Sequence, residues 1–227
     1  MTASLRGVRI VVSAGPTFED IDPVRFIGNR SSGKMGFAIA AAGARRAAEV
    51  ILVAGPVQLP TPEHVHRVDV RSAAQMRAAV LAALPADVYI GAAAVADYAP
   101  RRVAAGKLKK TEGSETLVLE LVRTPDILAE VAAHAPRPRL VVGFAAETDD
   151  VERYARAKLA AKQLDLIAAN HVGVAGSGFD SDDNALTVYG ADFERALGPA
   201  PKTQLAEALL DLIAVRLEGL SQDRPHP

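Results

Sequence analysis

Near its start the chain reads Ile27-Gly28-Asn29-Arg30-Ser31-Ser32-Gly33-Lys34-Met35-Gly36, a polar stretch of small residues that leads into a helical pattern beginning near Gly33. Glycines let a backbone approach a ligand closely, and a helix N-terminus with free N–H groups attracts an anion. A plain capping loop, with Ser31 or Ser32 as the N-cap, would explain a serine and a glycine. It would not explain Asn, Arg, two Ser and Lys gathered between glycines, so we interpret the stretch as an anion-binding loop.

The same stretch falls one residue short of a phosphate-binding P-loop. In Gly28-x-x-x-x-Gly33-Lys34 the next residue should be the Ser or Thr that holds Mg²⁺, and here it is Met35. A P-loop also follows its strand directly, whereas a long polar connection separates Gly28 from the apolar run Val8 to Val12. The sequence therefore favours a phosphate-binding helix start over a true P-loop.

Short apolar runs alternate with helical patterns over most of the chain. Strands are predicted at Val8 to Val12, Val50 to Ala54, Arg67 to Val70, Val88 to Ala94, Leu117 to Val122, Leu140 to Phe144, Leu166 to Ala169 and, at an edge, Ala185 to Tyr189. Helices are predicted at Gly33 to Ala48, from a Ser72/Gln75 capping box to Leu84, from Thr124-Pro125 onward, at Val151 to Lys162 and at Lys202 to Leu217. This alternation predicts an α/β fold, a Rossmann-like open, mostly parallel sheet with helices on both faces. Residues 1–219 are expected to form one domain, with a disordered tail at 220–227.

Composition excludes several classes of protein. Hydrophobic residues make up 49% of the 227, enough for a sizeable core, while aromatics are scarce at 4% and the net charge is −1. We therefore expect no nucleic-acid partner. The absence of cysteine removes disulfides and thiolate metal sites. No signal peptide and no apolar run of membrane-spanning length is visible, so we expect a cytoplasmic protein without membrane contact.

Polar segments follow the predicted strands after Gly15, Ala94, Phe144 and Asn170. In open α/β sheets, ligands bind outside the carboxyl ends of the strands, so these segments predict one active site at that edge. In these segments lysines outnumber carboxylates, and the segments contain a single histidine, His171. This set of residues is poorly suited to a Ser-His-Asp triad or a zinc site. Lysines suit phosphoryl and nucleotidyl chemistry. No G-x-G-x-x-G follows the first strand, so the dinucleotide-binding fingerprint is missing. Composition and spacing alone therefore indicate an α/β enzyme that binds a phosphorylated ligand, with a nucleotide favoured.

Each candidate also has an ordinary structural interpretation. Lys107 to Lys110 could be a solvated run of charge. Lys158 and Lys162, which are four residues apart, could be ordinary solvent-exposed residues on one face of a helix. Asp97 could simply cap a turn. The residues by themselves do not choose between these alternatives.

A set of motifs in matching order resembles the bacterial phosphopantothenoylcysteine synthetases, the CoaB half of the bifunctional CoaBC (Dfp) flavoprotein of coenzyme A synthesis. The resemblance runs from about Val8 to Leu217. Its motifs are Gly15-Pro16-Thr17, Asp22-Pro23-Val24-Arg25, Asn29 to Gly36, Ala93 to Tyr98, Lys107-Leu108-Lys109-Lys110, Thr124-Pro125-Asp126-Ile127, Val142 to Thr148 and Gly178 to Asn184.

The resemblance implies a ligase that joins 4′-phosphopantothenate and L-cysteine, with CTP as co-substrate and Mg²⁺ as cofactor. CTP would activate the carboxylate as an acyl-cytidylate with loss of pyrophosphate, and the cysteine amine would displace CMP. Asn29 resembles the asparagine that engages the acyl-cytidylate, and Lys107 resembles the lysine, on a mobile flap, that is needed to form it. The positions that match CTP-contacting residues are Gly91, Ala92, Ala93, Asp97, Lys107, Pro125, Asp126, Ile127, Leu128, Phe144, Lys158 and Lys162. Arg30, Ser31, Ser32, Gly33 and Lys34 are expected to bind substrate phosphate, and no residue is assigned as a metal ligand.

The family pattern also implies partners. The flavin-dependent decarboxylase half that the family has before Val8 is absent from this sequence, so the chain is either one domain of a bifunctional protein or a stand-alone synthetase. We expect it to be fused to or partnered with such a decarboxylase, and we expect no flavin in this part itself. The resemblance also implies a homodimer. The long connections Thr17 to Arg30 and Gly173 to Asp183 are consistent with an interface, because they carry the apolar residues Phe18, Ile21, Phe26, Val174 and Phe179. The alternative is that these loops fold back on their own subunit. Two alternatives of other classes remain. One is a non-catalytic, regulatory nucleotide-binding module, and the other is a flavin- or NAD-dependent reductase on the same sheet.

Overall fold

The computed structural model describes residues 3–110, 115–147, 149–171 and 181–222. These ranges contain twelve strands and five helices. The strands are β1 Arg9–Ala14, β2 Phe18–Asp20, β3 Phe26–Gly28, β4 Glu49–Ala54, β5 Val65–Asp69, β6 Val88–Gly91, β7 Tyr98–Pro100, β8 Leu121–Arg123, β9 Leu140–Glu147, β10 Leu166–His171, β11 Asp183–Gly190 and β12 Phe193–Pro201. The helices are α1 Lys34–Arg45, α2 Ala73–Ala82, α3 Ile127–Ala132, α4 Val151–Ala161 and α5 Lys202–Gln222.

The main sheet has eight strands in the order β12-β11-β10-β9-β6-β1-β4-β5. From β10 to β5 all neighbours run parallel, and β11 and β12 add antiparallel pairs at one side. Numbered along the chain, the six parallel strands have the order 3-2-1-4-5-6 of the Rossmann fold. The strand order reverses between β1 and β6, and the crevice at that reversal is where such sheets bind ligands. The predicted fold class is confirmed.

Helices cover both faces of the sheet, each through its own hydrophobic core. On one face, α1 and α5 pack with alternate residues of the central strands, such as Ile39 and Leu209 with Val12. On the other face, α2, α3 and α4 contribute Met76, Val131 and Ala155. Because successive strand residues point to opposite faces, strands buried on both sides are almost continuously apolar, as β1 and β4 are.

Helix α1 packs unusually close to β1 at the start of the helix. A Cβ placed on Gly36 would lie 2.4 Å from the Cβ of Ala14. Gly33, the residue before the helix, has φ 74°, in the left-handed region that favours glycine. The glycines therefore bring the N-terminus of α1 against the carboxyl end of β1.

The predicted start of helix α2 is confirmed. The Ser72 hydroxyl accepts from the Gln75 N–H at 3.2 Å, and the Gln75 side chain accepts from the Ser72 N–H at 3.3 Å. Each side chain thus pairs an N–H group that the helix leaves without a partner.

The far side of the sheet differs from the prediction. The strand predicted at Ala185 to Tyr189 as an edge lies between β10 and β12, so it is not an edge. Strand β12 was not predicted, because Gly198 and two prolines interrupt it and most of its residues are exposed. Proline is confined to edge positions in sheets because it lacks an N–H donor, and β12 is the true edge.

Three predicted boundaries were also wrong. The strand expected at Leu117 to Val122 is the short β8, paired with β7 in a separate two-stranded sheet. The helix expected from Thr124-Pro125 begins only at Ile127, after the N-cap Asp126. Residues 220–222 of the expected tail continue α5, and residues 223–227 lie outside the described ranges.

In the described ranges no helix is both long enough and apolar enough to span a membrane.

Candidate active site

Two open chambers lie side by side at the carboxyl edge of the central strands. The α3 chamber, of about 500 Å³, is bounded by β1, β6, the start of α3 and α4. The α1 chamber, of about 400 Å³, is bounded by the start of α1, β11 and the first residue of α5. Their common wall consists of Ala93, Val95, Asp97, Phe144 and Lys158. A ligand in one chamber can therefore meet a ligand in the other across this wall.

The structure brings most of the predicted site residues into these chambers. The α3 chamber is lined by Gly91, Ala93, Asp97, Pro125, Asp126, Ile127, Leu128, Phe144, Lys158 and Lys162. The α1 chamber is lined by Asn29, Arg30, Ser31, Ser32, Gly33, Lys34 and Ala92, together with the shared wall. Lys107 lines neither chamber, and its side chain is exposed. The carboxyl ends of β1, β6, β9 and β10 meet at this edge, where Ala146 of β9 and Asn170 of β10 line the α1 chamber. The predicted loop that follows Asn170 lies mostly outside the described residues, as do the side chains of Glu147 and His171.

The N-terminus of α1 faces the α1 chamber without a capping side chain. The N-cap is Gly33, not Ser31 or Ser32, so the expected alternative of a plain serine cap is wrong. Residues Gly33 to Gly36 all line the chamber. The first N–H groups of a helix attract anions, and Gly33 has no side chain to pair them. The strand before this loop, β3, belongs to a separate hairpin, so the stretch is not a P-loop.

Asn29 is tied to the wall between the chambers. Its amide nitrogen donates to the carbonyl oxygens of Ala94 at 3.2 Å and Val95 at 3.1 Å. Hairpin β2–β3 ends immediately before Asn29 and sets its position. The hairpin is in turn anchored by the buried Glu19, whose carboxylate accepts from the Ala73 N–H of α2 at 2.8 Å. The asparagine therefore both lines the α1 chamber and supports the wall.

Two lysines at the end of α4, Lys158 and the C-cap residue Lys162, line the α3 chamber, and each makes a hydrogen bond or an ion pair there. The Lys162 ammonium lies 2.6 Å from the Asp126 carboxylate, and Lys158 donates to the Phe144 carbonyl at 2.9 Å. Burial raises the pKa of Asp126, but the Lys162 hydrogen bond, the Ala129 N–H and the charges of Lys162 and Lys158 outweigh it, so the pKa is lowered overall. Asp126 is thus ionised at neutral pH and holds Lys162 at the chamber.

Lys107 sits on a segment that is clamped away from the cleft. The buried Asp22 carboxylate accepts from the Leu108 N–H at 3.0 Å, and the Arg25 guanidinium donates to the Leu108 carbonyl at 2.9 Å. Hydrogen bonds from Arg25 hold the pKa of Asp22 well below its usual range, with help from the N–H groups of Val24 and Leu108. The clamp is therefore fully ionised at neutral pH.

Several lining residues were not predicted. Ser13 and Tyr89 form part of the α3 chamber, and Asn184, Leu186 and Lys202 form part of the α1 chamber. Ser13, Tyr89, Asn184 and Leu186 lie within β1, β6 and β11, where a buried strand residue and a site residue look alike in the sequence. Lys202 is the first residue of α5, and it donates to the Ser181 carbonyl.

Two threonine hydroxyls fix the wall at Ala96. The Thr17 hydroxyl accepts from the Ala96 N–H at 3.0 Å, and the Thr124 hydroxyl donates to the Ala96 carbonyl at 2.6 Å. Thr17 is fully buried, and the Ala94 N–H donates to the Gly15 carbonyl at 2.9 Å. Both backbone groups of Ala96 are thus held by side chains from opposite sides.

Replacing Thr17 by valine is expected to disturb both chambers together. Valine keeps the shape but leaves the buried Ala96 N–H unpaired, at a cost of about 1–3 kcal/mol. We expect the KM values of the ligands of both chambers to rise by about tenfold, and Thr17→Ser to restore them. Steady-state kinetics with each ligand varied in turn, together with thermal melts, measures this. A valine variant that is less stable but has unchanged KM values would show that Thr17 serves folding alone.

A family model described as the DNA/pantothenate metabolism flavoprotein C-terminal domain matches residues 5–217. The chain belongs to this family. Among its relatives, the coenzyme A biosynthesis bifunctional protein CoaBC of Vibrio cholerae is 51% identical over 210 residues, which cover 92% of this chain and 53% of that protein. The CoaBC protein of Escherichia coli K12 is 52% identical over 217 residues, with coverage of 94% and 53%. The resemblance found in the motifs is therefore confirmed.

A solved structure of the family shares the whole architecture. The crystal structure of the C-terminal domain of a coenzyme A biosynthesis bifunctional protein CoaBC superposes with a TM-score of 0.80 at 42% identity, covering 95% of this chain and 98% of that one. The chain thus spans about half the length of the curated relatives it matches, and almost all of the C-terminal domain.

Proposed function

We propose that this chain is a ligase that joins 4′-phosphopantothenate to L-cysteine with CTP, giving 4′-phosphopantothenoylcysteine, CMP and pyrophosphate. The observation that carries the proposal is the pair of chambers that meet at a wall bearing both an acidic residue, Asp97, and a lysine, Lys158. A ligase that activates an acid must bring two anionic substrates together at one point. The membership of a coenzyme A biosynthesis family supports the same assignment.

The nucleotide is assigned to the α3 chamber and the acid to the α1 chamber. The start of α1 offers N–H groups, Lys34 and Arg30 to the phosphate of 4′-phosphopantothenate. The carboxylate oxygen of the acid would then attack the α-phosphorus of CTP at the wall, and pyrophosphate would leave. In the second step the cysteine nitrogen attacks the acyl carbon, loses a proton, and CMP leaves. Lys158, which lines both chambers, would stabilise the negative charge that develops at the α-phosphate.

Mg²⁺ fits the residues at the wall as a partner of the triphosphate. Among the described residues, no group of three or more His, Cys, Asp or Glu side chains could by itself hold a metal ion. Mg²⁺ commonly binds through one or two carboxylates plus substrate phosphates. Asp126 is engaged with Lys162, whereas Asp97 is an exposed carboxylate that lines both chambers. Asp97 would therefore hold the ion with the phosphates, where Mg²⁺ neutralises charge on the attacked and leaving groups.

Pyrophosphate release tests the proposal. Purified protein with Mg²⁺, CTP and 4′-phosphopantothenate should release pyrophosphate, and adding L-cysteine should convert the intermediate to product and CMP. ATP replaces CTP in a parallel reaction, which tests the nucleotide preference. Absence of release with both nucleotides would refute the ligase and favour the regulatory module. A tightly bound flavin or nicotinamide would favour the reductase.

We also propose that the active form is a homodimer. The hairpins β2–β3 and β7–β8 and the segment between 115 and 123 expose apolar side chains on the described surface: Val24, Phe26, Tyr98, Leu117, Val118, Leu121 and Val122. Exposed apolar patches of this kind are typical of interfaces. Val174 and Phe179, which also motivated the dimer, lie outside the described residues.

The bifunctional relatives further support a decarboxylase partner, either in the same polypeptide or as a separate protein.

Replacing Val118 by aspartate is expected to convert the dimer to monomers. Val118 is 88% exposed, so the change costs little in a lone subunit, while a two-fold interface would bury the added charge twice. Light scattering should give twice the chain mass for the wild type and a lower mass for the variant. Val215→Asp is the matched control, because Val215 is 67% exposed on α5, a helix that packs with α1, β11 and β12. A monomeric wild type with full ligase activity would refute the dimer.

A further inference from the structure

The floor of the α3 chamber contains a buried pair of hydroxyl groups. The Ser13 Oγ, on β1, lies 3.0 Å from the Tyr89 Oη, on β6. Both residues are at most 2% exposed, yet both line the chamber. They lie on the neighbouring strands where the strand order of the sheet reverses. The pair is therefore a polar spot inside an otherwise apolar strand floor.

This pair has one more hydrogen-bond donor than it uses. Each hydroxyl has one proton, and a single hydrogen bond between the two oxygens uses only one of them. In the described ranges, neither oxygen has another hydrogen-bond partner. A buried donor without an acceptor costs free energy, so a partner from outside the chain is favoured. Burial, and the charge of Asp126, raise the pKa of Tyr89 to about 12, so the phenol remains a donor at neutral pH.

The open space beside the pair is created by Gly91. A Cβ placed on Gly91 would lie 3.6 Å from the Tyr89 Oη and 3.1 Å from the Leu128 Cδ1. Because glycine has no side chain, the phenol tip is left accessible from the chamber between Gly91 and Leu128. The side chains nearest to Gly91, those of Leu128 and Tyr89, are uncharged, which suits an uncharged ring.

The surroundings favour the nucleobase over the phosphates as the group that reaches this floor. The pair itself is neutral, and the negative charge of Asp126 acts on Tyr89. A phosphate at this floor would meet no cation from the pair itself and would gain less from the two lysines that line the chamber, Lys158 of α4 and Lys162 directly after it. Cytosine presents two acceptors, the ring N3 and the 2-carbonyl oxygen, that can accept from a hydroxyl.

We propose that the Ser13–Tyr89 hydroxyl pair recognises the nucleobase of the bound nucleotide, by donating its spare proton to the acceptor edge of cytosine. The proposal rests on the proposed function, since it takes CTP as the ligand of the α3 chamber. In this proposal Ser13 and Tyr89 select the base of the nucleotide, whereas Lys158 and Lys162 interact with its phosphates. Either hydroxyl can supply the outward proton, because the hydrogen bond between them can run in either direction.

The double variant Ser13→Ala/Tyr89→Phe tests the proposal without creating an unpaired partner. Removing both members of a buried hydrogen bond is close to neutral for folding, whereas removing one leaves the other unsatisfied. We expect a melting temperature close to that of the wild type and about tenfold weaker CTP binding by calorimetry, as for the loss of one hydrogen bond. Binding of 4′-phosphopantothenate should not change. Tyr189→Phe is the matched control, because Tyr189 is buried on the same face but lines neither chamber.

Two further probes separate the possible outcomes. UTP carries the 2-carbonyl but has an N3–H donor, so a loss confined to CTP identifies N3 as the acceptor, and an equal loss with UTP identifies the carbonyl. Inorganic tripolyphosphate should bind both proteins equally. Unchanged CTP binding in a folded double variant, or an equal loss of tripolyphosphate binding, would overturn the inference. If the wild type binds no CTP and releases no pyrophosphate, the proposed function itself fails instead.

Discussion

Replacing Asn29 by aspartate is expected to stop the reaction at the acyl-cytidylate. The Asn29 amide holds the carbonyl oxygens of Ala94 and Val95, and a carboxylate in its place has no N–H to donate. The added negative charge would also face those carbonyls and the anionic intermediate. Since Asn29 lines the α1 chamber and not the α3 chamber, CTP should still bind and react. We expect the first step to persist and amide formation to fall by about 100-fold, the scale of a misplaced reactive group.

A quenched-flow time course separates the two steps. Pyrophosphate and acyl-cytidylate are measured before and after L-cysteine is added, and the variant should accumulate the intermediate. Asn170→Asp is the matched control, because Asn170 lines the same chamber and the substitution adds the same charge, but Asn170 makes no described contact with the wall at Ala94 and Val95. A similar loss of amide formation in both variants would show that the added charge alone causes the effect. A variant that releases no pyrophosphate would contradict the assignment of Asn29 to the second step.

The strands at the centre of the sheet could be predicted because their burial leaves a direct mark on the sequence. Val11 and Leu52 lie in strands covered by helices on both faces, so these strands are runs of apolar residues. Strand β12 has no such mark, since it is a mostly exposed edge that contains Gly198 and two prolines. Without β12 the strand before it was wrongly placed at the edge. Pairing between strands depends on contacts across the sheet, which periodicity along one strand does not record.

The candidate site, like the fold, could be predicted from the sequence only in part. The loop around Gly33 could be predicted to line the site because its residue types are unusual for a simple cap. The hydroxyls of Thr17 and Ser13 could not, because their partners Ala96 and Tyr89 lie 79 and 76 residues away along the chain. A threonine that pairs a distant N–H has the same appearance in a sequence as any buried threonine. Its role depends on which backbone group the fold brings to its hydroxyl.

Replacing Lys107 by glutamine is expected to block the first step, with pyrophosphate release reduced by about 100-fold. Electrostatic stabilisation of a developing phosphate charge is worth about this much when one donor is removed. The structure gives the prediction an added condition, because Lys107 lies outside both chambers and its neighbour Leu108 is clamped by Asp22 and Arg25. Lys107 must therefore reach the nucleotide by movement of its segment or by serving the cleft of a second subunit. Lys109→Gln, in the same exposed run, is the matched control and should retain most of the activity.

Mixing two inactive variants distinguishes these two routes. In a dimer of one Asn29→Asp subunit and one Lys107→Gln subunit, the second subunit keeps its own Asn29, and the first keeps its own Lys107. If Lys107 serves the partner's cleft, that mixed dimer contains one complete site, and activity should return when the two proteins are exchanged and mixed. If Lys107 serves its own cleft after a movement of the segment, neither site is complete and no activity returns. Full pyrophosphate release by Lys107→Gln alone would refute both routes, because the first step would then proceed without this lysine.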